Sequence, residues 1–250
     1  MDFDAVHVLN SDDNTYTTNG QSDLIVALGG SDLVAAFGGN DYIFGNQGDD
    51  ILSGNAGEDI LRGGQQDDWL LGGDGNDIMT GDLDNDVVTG DRGNDIIFGN
   101  QGSDQLFGNS GRDEIYGGQN NDLIRGGRDN DRVFGDLGSD TLSGDLGSDT
   151  LEGGSQSDRF IIGPSWGGMS VEEADIIADF ADSVDEIEVT GNLNFDDIEI
   201  SQGTGEYSED TIIQSKITGE YFAVLKDINT TAIDSDDFVN LTTPDPSPTP

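Results

Sequence analysis

An apolar residue returns at every ninth position through most of this chain. It stands at Ile25, Val34, Ile43, Leu52, Leu61, Leu70, Met79, Val88, Ile97, Leu106, Ile115, Ile124, Val133, Leu142, Leu151 and Phe160. Two residues before each stands an aspartate: Asp23, Asp32, Asp41, Asp50, Asp59, Asp68, Asp77, Asp86, Asp95, Asp104, Asp113, Asp122, Asp131, Asp140, Asp149 and Asp158. Sixteen nonapeptides fill residues 18–161 without a register slip, so each unit performs the same physical task. Gly90-Asp91-Arg92-Gly93-Asn94-Asp95-Ile96-Ile97-Phe98 is a clean copy. Its first six residues are turn formers, with glycine at slots one and four. Its last three favour strand. Alternation points slot eight inward and slots seven and nine outward. So short a strand is stable only when paired above and below, so the units stack. Two units make one turn of coil, with one strand on each of two parallel sheets. Sixteen units predict about eight turns, roughly 38 Å at a strand spacing of about 4.8 Å.

Four segments follow from where the period holds. Residues 1–17 are an acidic, polar lead-in. A degenerate unit is expected there, because Asn14 and Tyr16 fall in the aspartate and apolar slots. Residues 18–161 are the repeats. Residues 162–240 lose the period and read as a β-rich cap, with strands expected at Ala174–Phe180, Asp185–Val189, Asp197–Ile200, Thr211–Ile213 and Tyr221–Leu225. Residues 241–250 alternate proline with small polar residues and read as an extended, disordered tail.

Charge then decides the chemistry. The chain has 250 residues, with 52 acidic against 9 basic side chains, a formal charge of −43. Self-repulsion opposes a compact state unless cations bind. Nucleic acid is an unfavourable partner, and so is an anionic membrane. No stretch is long and apolar enough to insert in a bilayer. The inward core is a single layer of side chains per sheet, and ordering costs on the order of 1–2 kcal/mol per residue. The aspartates make up the difference, because stacking brings slot-six carboxylates into adjacent layers. A cation between layers turns a column of like charges into a ligand array. Calcium takes six to eight oxygens, and carboxylates with bare turn carbonyls suit it; magnesium demands a stricter octahedron. Softer metals need Cys or His, and the chain has no Cys and only His7, which reads as a solvated lead-in residue. Eight layers leave at most fourteen gaps, fewer where Gln21, Gln66 and Gln156 replace the slot-four glycine.

These units resemble the GGxGxDxUx calcium-binding nonapeptide of RTX (hemolysin-type) repeat proteins. The resemblance covers residues 18–161 and implies an all-β, right-handed parallel β-roll (β-solenoid) with a C-terminal β-rich cap. It implies multiple Ca2+ ions held by the sixteen aspartates. The turn carbonyls of Gly45, Gly54, Gly63, Gly72, Gly81, Gly90, Gly99, Gly108, Gly117, Gly126, Gly135 and Gly144 complete the ligand set. This chain departs at slot one of its first three units, Thr18, Ala27 and Ala36, where weaker binding is expected. It also departs at slot two, often Asn or Asp, as at Asn46, Asn55, Asp82, Asp91, Asp136 and Asp145. Residues 174–189 resemble the C-terminal flank of serralysin-type proteins, which makes Asp179, Asp182 and Asp185 further candidate ligands. The family leaves Gram-negative cells by type I secretion with an uncleaved C-terminal signal. That matches the absence of a secretory signal over Met1–Val8 and predicts an extracellular protein. Asp237-Phe238-Val239 is a candidate part of that signal.

The function expected is a secreted calcium-binding structural or interaction module whose roll folds as it loads calcium. Outward apolar rows make self-association an expected property. One face carries Tyr42, Phe44, Ile60, Ile78, Ile96, Phe98, Tyr116 and Phe134, and the other carries Ile51, Trp69, Leu71, Val87 and Phe107. The alternative is attachment to polysaccharide or a cell surface. Catalysis is not expected: no His-Glu-x-x-His helix and no G-x-S-x-G elbow are present. Ice binding needs an outward ladder of matched residues, and slot three (Gln47, Ala56, Gln65, Asp74, Leu83) offers none.

Overall fold

A computed structural model describes residues 3–239 apart from 165, 192 and 194. The tail expected over 241–250 lies outside these residues. Two short strands, β1 (Ala5–Val8) and β2 (Thr15–Thr17), precede the repeats. Each repeat then supplies one strand, from β3 (Asp23–Val26) through to β17 (Thr150–Glu152) and β18 (Arg159–Ile162). Six more follow: β19 (Asp175–Ile177), β20 (Glu186–Val189), β21 (Ile198–Gln202), β22 (Thr211–Ser215), β23 (Tyr221–Leu225) and β24 (Phe238–Val239).

The strands sort by parity. Odd strands β1 to β19 stack into one sheet, which β23, β22 and β21 continue; even strands β2 to β20 form the other, ended by β24. Stacking along the solenoid is parallel, and within the repeats the register steps by eighteen residues, as in Ile97 beside Met79 and Ile115. Among the strands of the described residues only β21–β22–β23 pair antiparallel, and β23 joins them to the roll by lying parallel to β19. This is the expected parallel β-roll, of about nine turns instead of eight. The lead-in supplies the extra coil, because β1 pairs with β3, and β2 with its neighbour over Leu33–Ala35.

The core is the slot-eight column. All sixteen of these side chains, Ile25 to Phe160, are fully buried. Burial of each contributes about 1.5–3 kcal/mol. Ile177 and Ile187 carry the column into the cap, where Phe180, Ile213, Phe222 and Leu225 widen it. At the other end the column closes on polar-tipped rings. His7 and Tyr16 take slot eight beside Ile25 and Val34. The Tyr16 hydroxyl lies 2.5 Å from His7 Nδ1. His7 is therefore not a solvated lead-in residue; it packs with 28% of its side chain exposed. Both rings are partly buried, and an amphipathic ring suits a site that is apolar on one side and polar on the other.

Turn geometry explains slot two. It adopts the left-handed region at Asn46 (φ 71°), Asp82 (φ 85°), Asp91 (φ 73°) and Gly118 (φ 112°). Gly, Asn and Asp are the residues that enter that region most readily. Asn and Asp at this slot thus preserve the turn. Slot four is also left-handed where Gln66 and Gln156 stand. Among the described residues no helix is long and apolar enough to cross a membrane.

Candidate metal centre

Each slot-six aspartate ends the turn and starts the strand, so its position is fixed by both. Its backbone carbonyl accepts the slot-seven N–H one layer on, as from Ile60 to Asp41 at 2.8 Å. Its backbone N–H donates to the carboxylate of the aspartate eighteen residues later. Asp59 N donates to Asp77 Oδ1 at 2.8 Å, and Asp77 N to Asp95 Oδ1 at 2.8 Å. The ladder starts at Asn14, whose N–H donates to Asp32 Oδ1 at 2.7 Å. Two columns of carboxylates, one per sheet, therefore run the length of the roll. All sixteen predicted aspartates lie in them, and all are buried.

This ladder uses one oxygen of each carboxylate. The other, Oδ2, is buried without a hydrogen-bond partner in all fourteen aspartates from Asp32 to Asp149. A buried anion in that condition costs several kcal/mol unless a counter-charge arrives. Arg62, Arg92, Arg132 and Arg159 pair instead with Asp82, Asp74, Glu114 and Glu186 on the outer faces. The orphan oxygen lies over the slot-one glycine of its own unit. A Cβ on any of the twelve predicted glycines would meet it at under 3.0 Å. At Gly45, Gly72, Gly90 and Gly117 the slot-one carbonyl two units on crowds the same space. An anionic oxygen and a carbonyl thus share a cradle that only glycine leaves open. Among the described residues no three acidic, His or Cys side chains converge on one point. A cation here would take one or two carboxylates and complete its shell from the backbone. That donor set is all oxygen, and it fits calcium.

The electrostatics agree. Burial pushes the carboxyls of Asp68, Asp86, Asp122 and Asp131 up to about 8. It pushes Asp59, Asp95 and Asp140 up to about 7. Asp50, Asp77, Asp104, Asp113 and Asp158 rise to about 6. The backbone N–H on Oδ1 opposes the rise, and like charges in neighbouring layers add to it for Asp59, Asp86 and Asp95.

The first units share the ladder, since Asp23 N donates to Asp41 Oδ1 and Asp32 N to Asp50 Oδ1. Their slot-one carbonyls, at Ala27 and Ala36, accept the side-chain amides of Asn46 and Asn55. The three cap candidates separate. Asp185 accepts from Asp158 N at 2.9 Å and extends the even column. Asp179 accepts from the N–H groups of Gly153 and Gly154 at 2.9 and 2.7 Å, outside either column. Asp182 is exposed. Asp175 is the residue that sequence reasoning missed. It accepts from Asp149 N at 3.0 Å and extends the odd column. Its signal was the tripeptide Asp175-Ile176-Ile177, an aspartate two before an inward apolar residue, displaced from the ninefold spacing. A second ladder was also missed. Slot-five side chains accept the slot-five N–H one layer on, as from Arg112 to Asn94 and from Ser103 to Asn85.

No curated protein matches the chain. Among solved structures 29 chains match. One is the solution structure of the AlgE6R3 subunit from the Azotobacter vinelandii mannuronan C5-epimerase. It is 26% identical over 55% of this chain and 79% of that one, with a TM-score of 0.36. The profile of the RTX calcium-binding nonapeptide repeat matches in overlapping windows from residue 17 to residue 160, more than half the sequence. That family binds multiple calcium ions, and its matches stop short of the cap. By its repeats and by the roll they build, this chain belongs to the RTX calcium-binding nonapeptide repeat family.

Proposed function

We propose that this calcium-binding repeat module is secreted and that its roll folds on loading calcium outside the cell. The sixteen slot-six aspartates hold the ions together with the slot-one glycine carbonyls, Gly45 through Gly144. The observation that carries this reading is the buried, unpartnered Oδ2 in fourteen successive layers. Bound calcium stabilises only the folded chain, and many sites act together, so folding is steep in calcium. The first units bind more weakly, because side-chain amides already occupy the Ala27 and Ala36 carbonyls. Export follows the family's usual type I route.

The test is circular dichroism with calorimetric titration of the full chain. Calcium is expected to drive a coil-to-β transition with on the order of ten ions bound, and magnesium to do little. Unchanged β structure after complete chelation would refute the reading.

Outside the cell the module acts as a structural or contact element without catalysis. Two observations support contact with an extended polymer, such as polysaccharide, or with a second copy. The odd sheet stacks Phe98, Tyr116 and Phe134 with ring centroids 5.1 and 4.8 Å apart. Beside them an open groove of about 820 Å³ crosses successive rungs, with Gln65, Asn100, Gln101 and Gln119 in its lining. Sedimentation with and without calcium and neutral oligosaccharides separates the two partners. A strict monomer that ignores every glycan removes both.

A further inference from the structure

Sorted by sheet, the outward slots show a longer period than nine. On the odd sheet slot three reads Gln47, Gln65, Leu83 and then, three rungs on, Gln101, Gln119, Leu137. Slot two beside it reads Asn46, Gly64, Asp82 and then Asn100, Gly118, Asp136. One set of six residues thus stands twice on this sheet, in the same order and register. The even sheet separates what the turn demands from what it does not. There slot two also recurs, Asn55, Gly73, Asp91 as Asn109, Gly127, Asp145, because its left-handed backbone admits few residue types. Slot three carries no such demand, and on the even sheet all three positions change. Ala56 becomes Ser110, Asp74 becomes Arg128 and Arg92 becomes Leu146. Slot seven of the odd sheet changes throughout as well, from Tyr42, Ile60 and Ile78 to Ile96, Glu114 and Arg132. Repetition within the chain accounts for slot two. It does not account for an outward Gln-Gln-Leu that is whole on one sheet and lost on the other.

We infer that the odd face carries two equivalent subsites for one linear, uncharged polysaccharide, which lies along the roll axis and meets both. The inference rests on the polymer-contact reading above and deepens it. Members of both sets line the open groove of about 820 Å³. All four glutamines are exposed, and Phe44 and Phe98 stand at the same place before Asn46 and Asn100. Each subsite therefore offers a ring, several amides, one carboxylate and one leucine. Amides both donate and accept, as sugar hydroxyls do, while the ring and the leucine suit the apolar faces of sugars. The two subsites are related by a shift of three strand spacings, about 14 Å. Symmetry favours a polymer over a second copy. A two-fold pair sets residue i against j and j against i, whereas a shift along one axis matches a chain of identical units. Charge favours a neutral polymer. The charged side chains lining the groove are Asp82, Asp136 and Arg62, and Arg62 is paired with Asp82. An anionic polymer meets no positive surplus there, on a protein of charge −43.

Calorimetry on the full chain in calcium tests this. The probes are trisaccharides and hexasaccharides of β-1,4-glucan, β-1,3-glucan, α-1,4-glucan and β-1,4-linked N-acetylglucosamine. For the linkage that fits, the trisaccharide is expected to bind twice per chain. The hexasaccharide is expected to bind once and at least tenfold more tightly, because its second contact is intramolecular. Gln65→Ala and Gln119→Ala each remove one trisaccharide site and return the hexasaccharide to the affinity of the trisaccharide. Both glutamines are exposed, so these changes leave the core and the carboxylate columns as they are. Ser110→Ala, at slot three of the even sheet, binds both probes as wild type does. If the trisaccharide binds wild type only once, or if both glutamine variants keep two sites, the paired subsites are refuted and polymer contact stands. If no probe binds, the inference falls together with the polymer reading. Calcium-dependent self-association, by sedimentation of the same sample, would then leave the second copy as the partner.

Discussion

A single methyl group tests the cradle at slot one. Gly90 sits where a Cβ would crowd both Asp95 Oδ2 and the Gly108 carbonyl. Gly90→Ala is expected to destabilise the calcium-loaded roll by about 1–3 kcal/mol, measured by denaturant unfolding, because backbone and ligand oxygens cannot both retreat. Slot two makes a different demand. Asn100 holds a φ of 76°. Asn100→Gly is expected to change stability by no more than a few tenths of a kcal/mol, while Asn100→Val costs about 1–2 kcal/mol. Equal stability of the two variants in the same unfolding assay would contradict the turn geometry. The ninefold spacing announced the aspartates, the slot-one glycines and the inward apolar column. Its consequences for slots two and five were hidden, since both depend on φ and on contacts eighteen residues away. His7 was hidden for another reason: a slot-eight histidine breaks the apolar pattern that would have identified it.

At the scale of an element, the carboxylate column sets a pH response. Slot-six carboxyls ordinarily titrate near 3.8, and in the metal-free fold most rise to between about 6 and about 8. Over that interval the folded form holds more protons than the unfolded chain. The stability these carboxyls contribute is fully present below pH 4 and is lost as pH climbs through 6 to 8. Chelated protein is therefore expected to show more β structure by circular dichroism at pH 4 than at pH 8. Calcium displaces the same protons, so titrations near pH 6 in buffers of different ionisation enthalpy should report proton release. Identical heats in the two buffers would count against coupled titration. The strands of the cap were legible from their short apolar runs, and β19, β20, β21, β22 and β23 lie where those runs predict. Their seat was not legible. The tripeptide Asp175-Ile176-Ile177 carries the aspartate-and-apolar signature, but it does not say that the odd sheet resumes there after a gap of 26 residues.

For the whole molecule, composition already bears on one property: at a charge of −43, self-repulsion opposes the compact state, and bound cations relieve it. The structure adds that the two sheets take alternate repeats, and that yields a counting rule. Removing two adjacent units, such as 108–125, shortens the stack by one layer and leaves every remaining residue on its own side. Removing one unit, such as 108–116, exchanges the sides for everything beyond it. Phe98 would then meet Arg125 above it, and Phe134 would pass to the opposite wall. Both deletions are expected to fold with calcium, since each joint is locally a repeat joint. Only the eighteen-residue one should retain the outward aromatic file and whatever depends on it, which self-association by sedimentation would reveal. Even and odd lengths of this protein are therefore different surfaces wrapped around one interior, and a lineage that lengthens it can keep its exterior only by adding units in pairs.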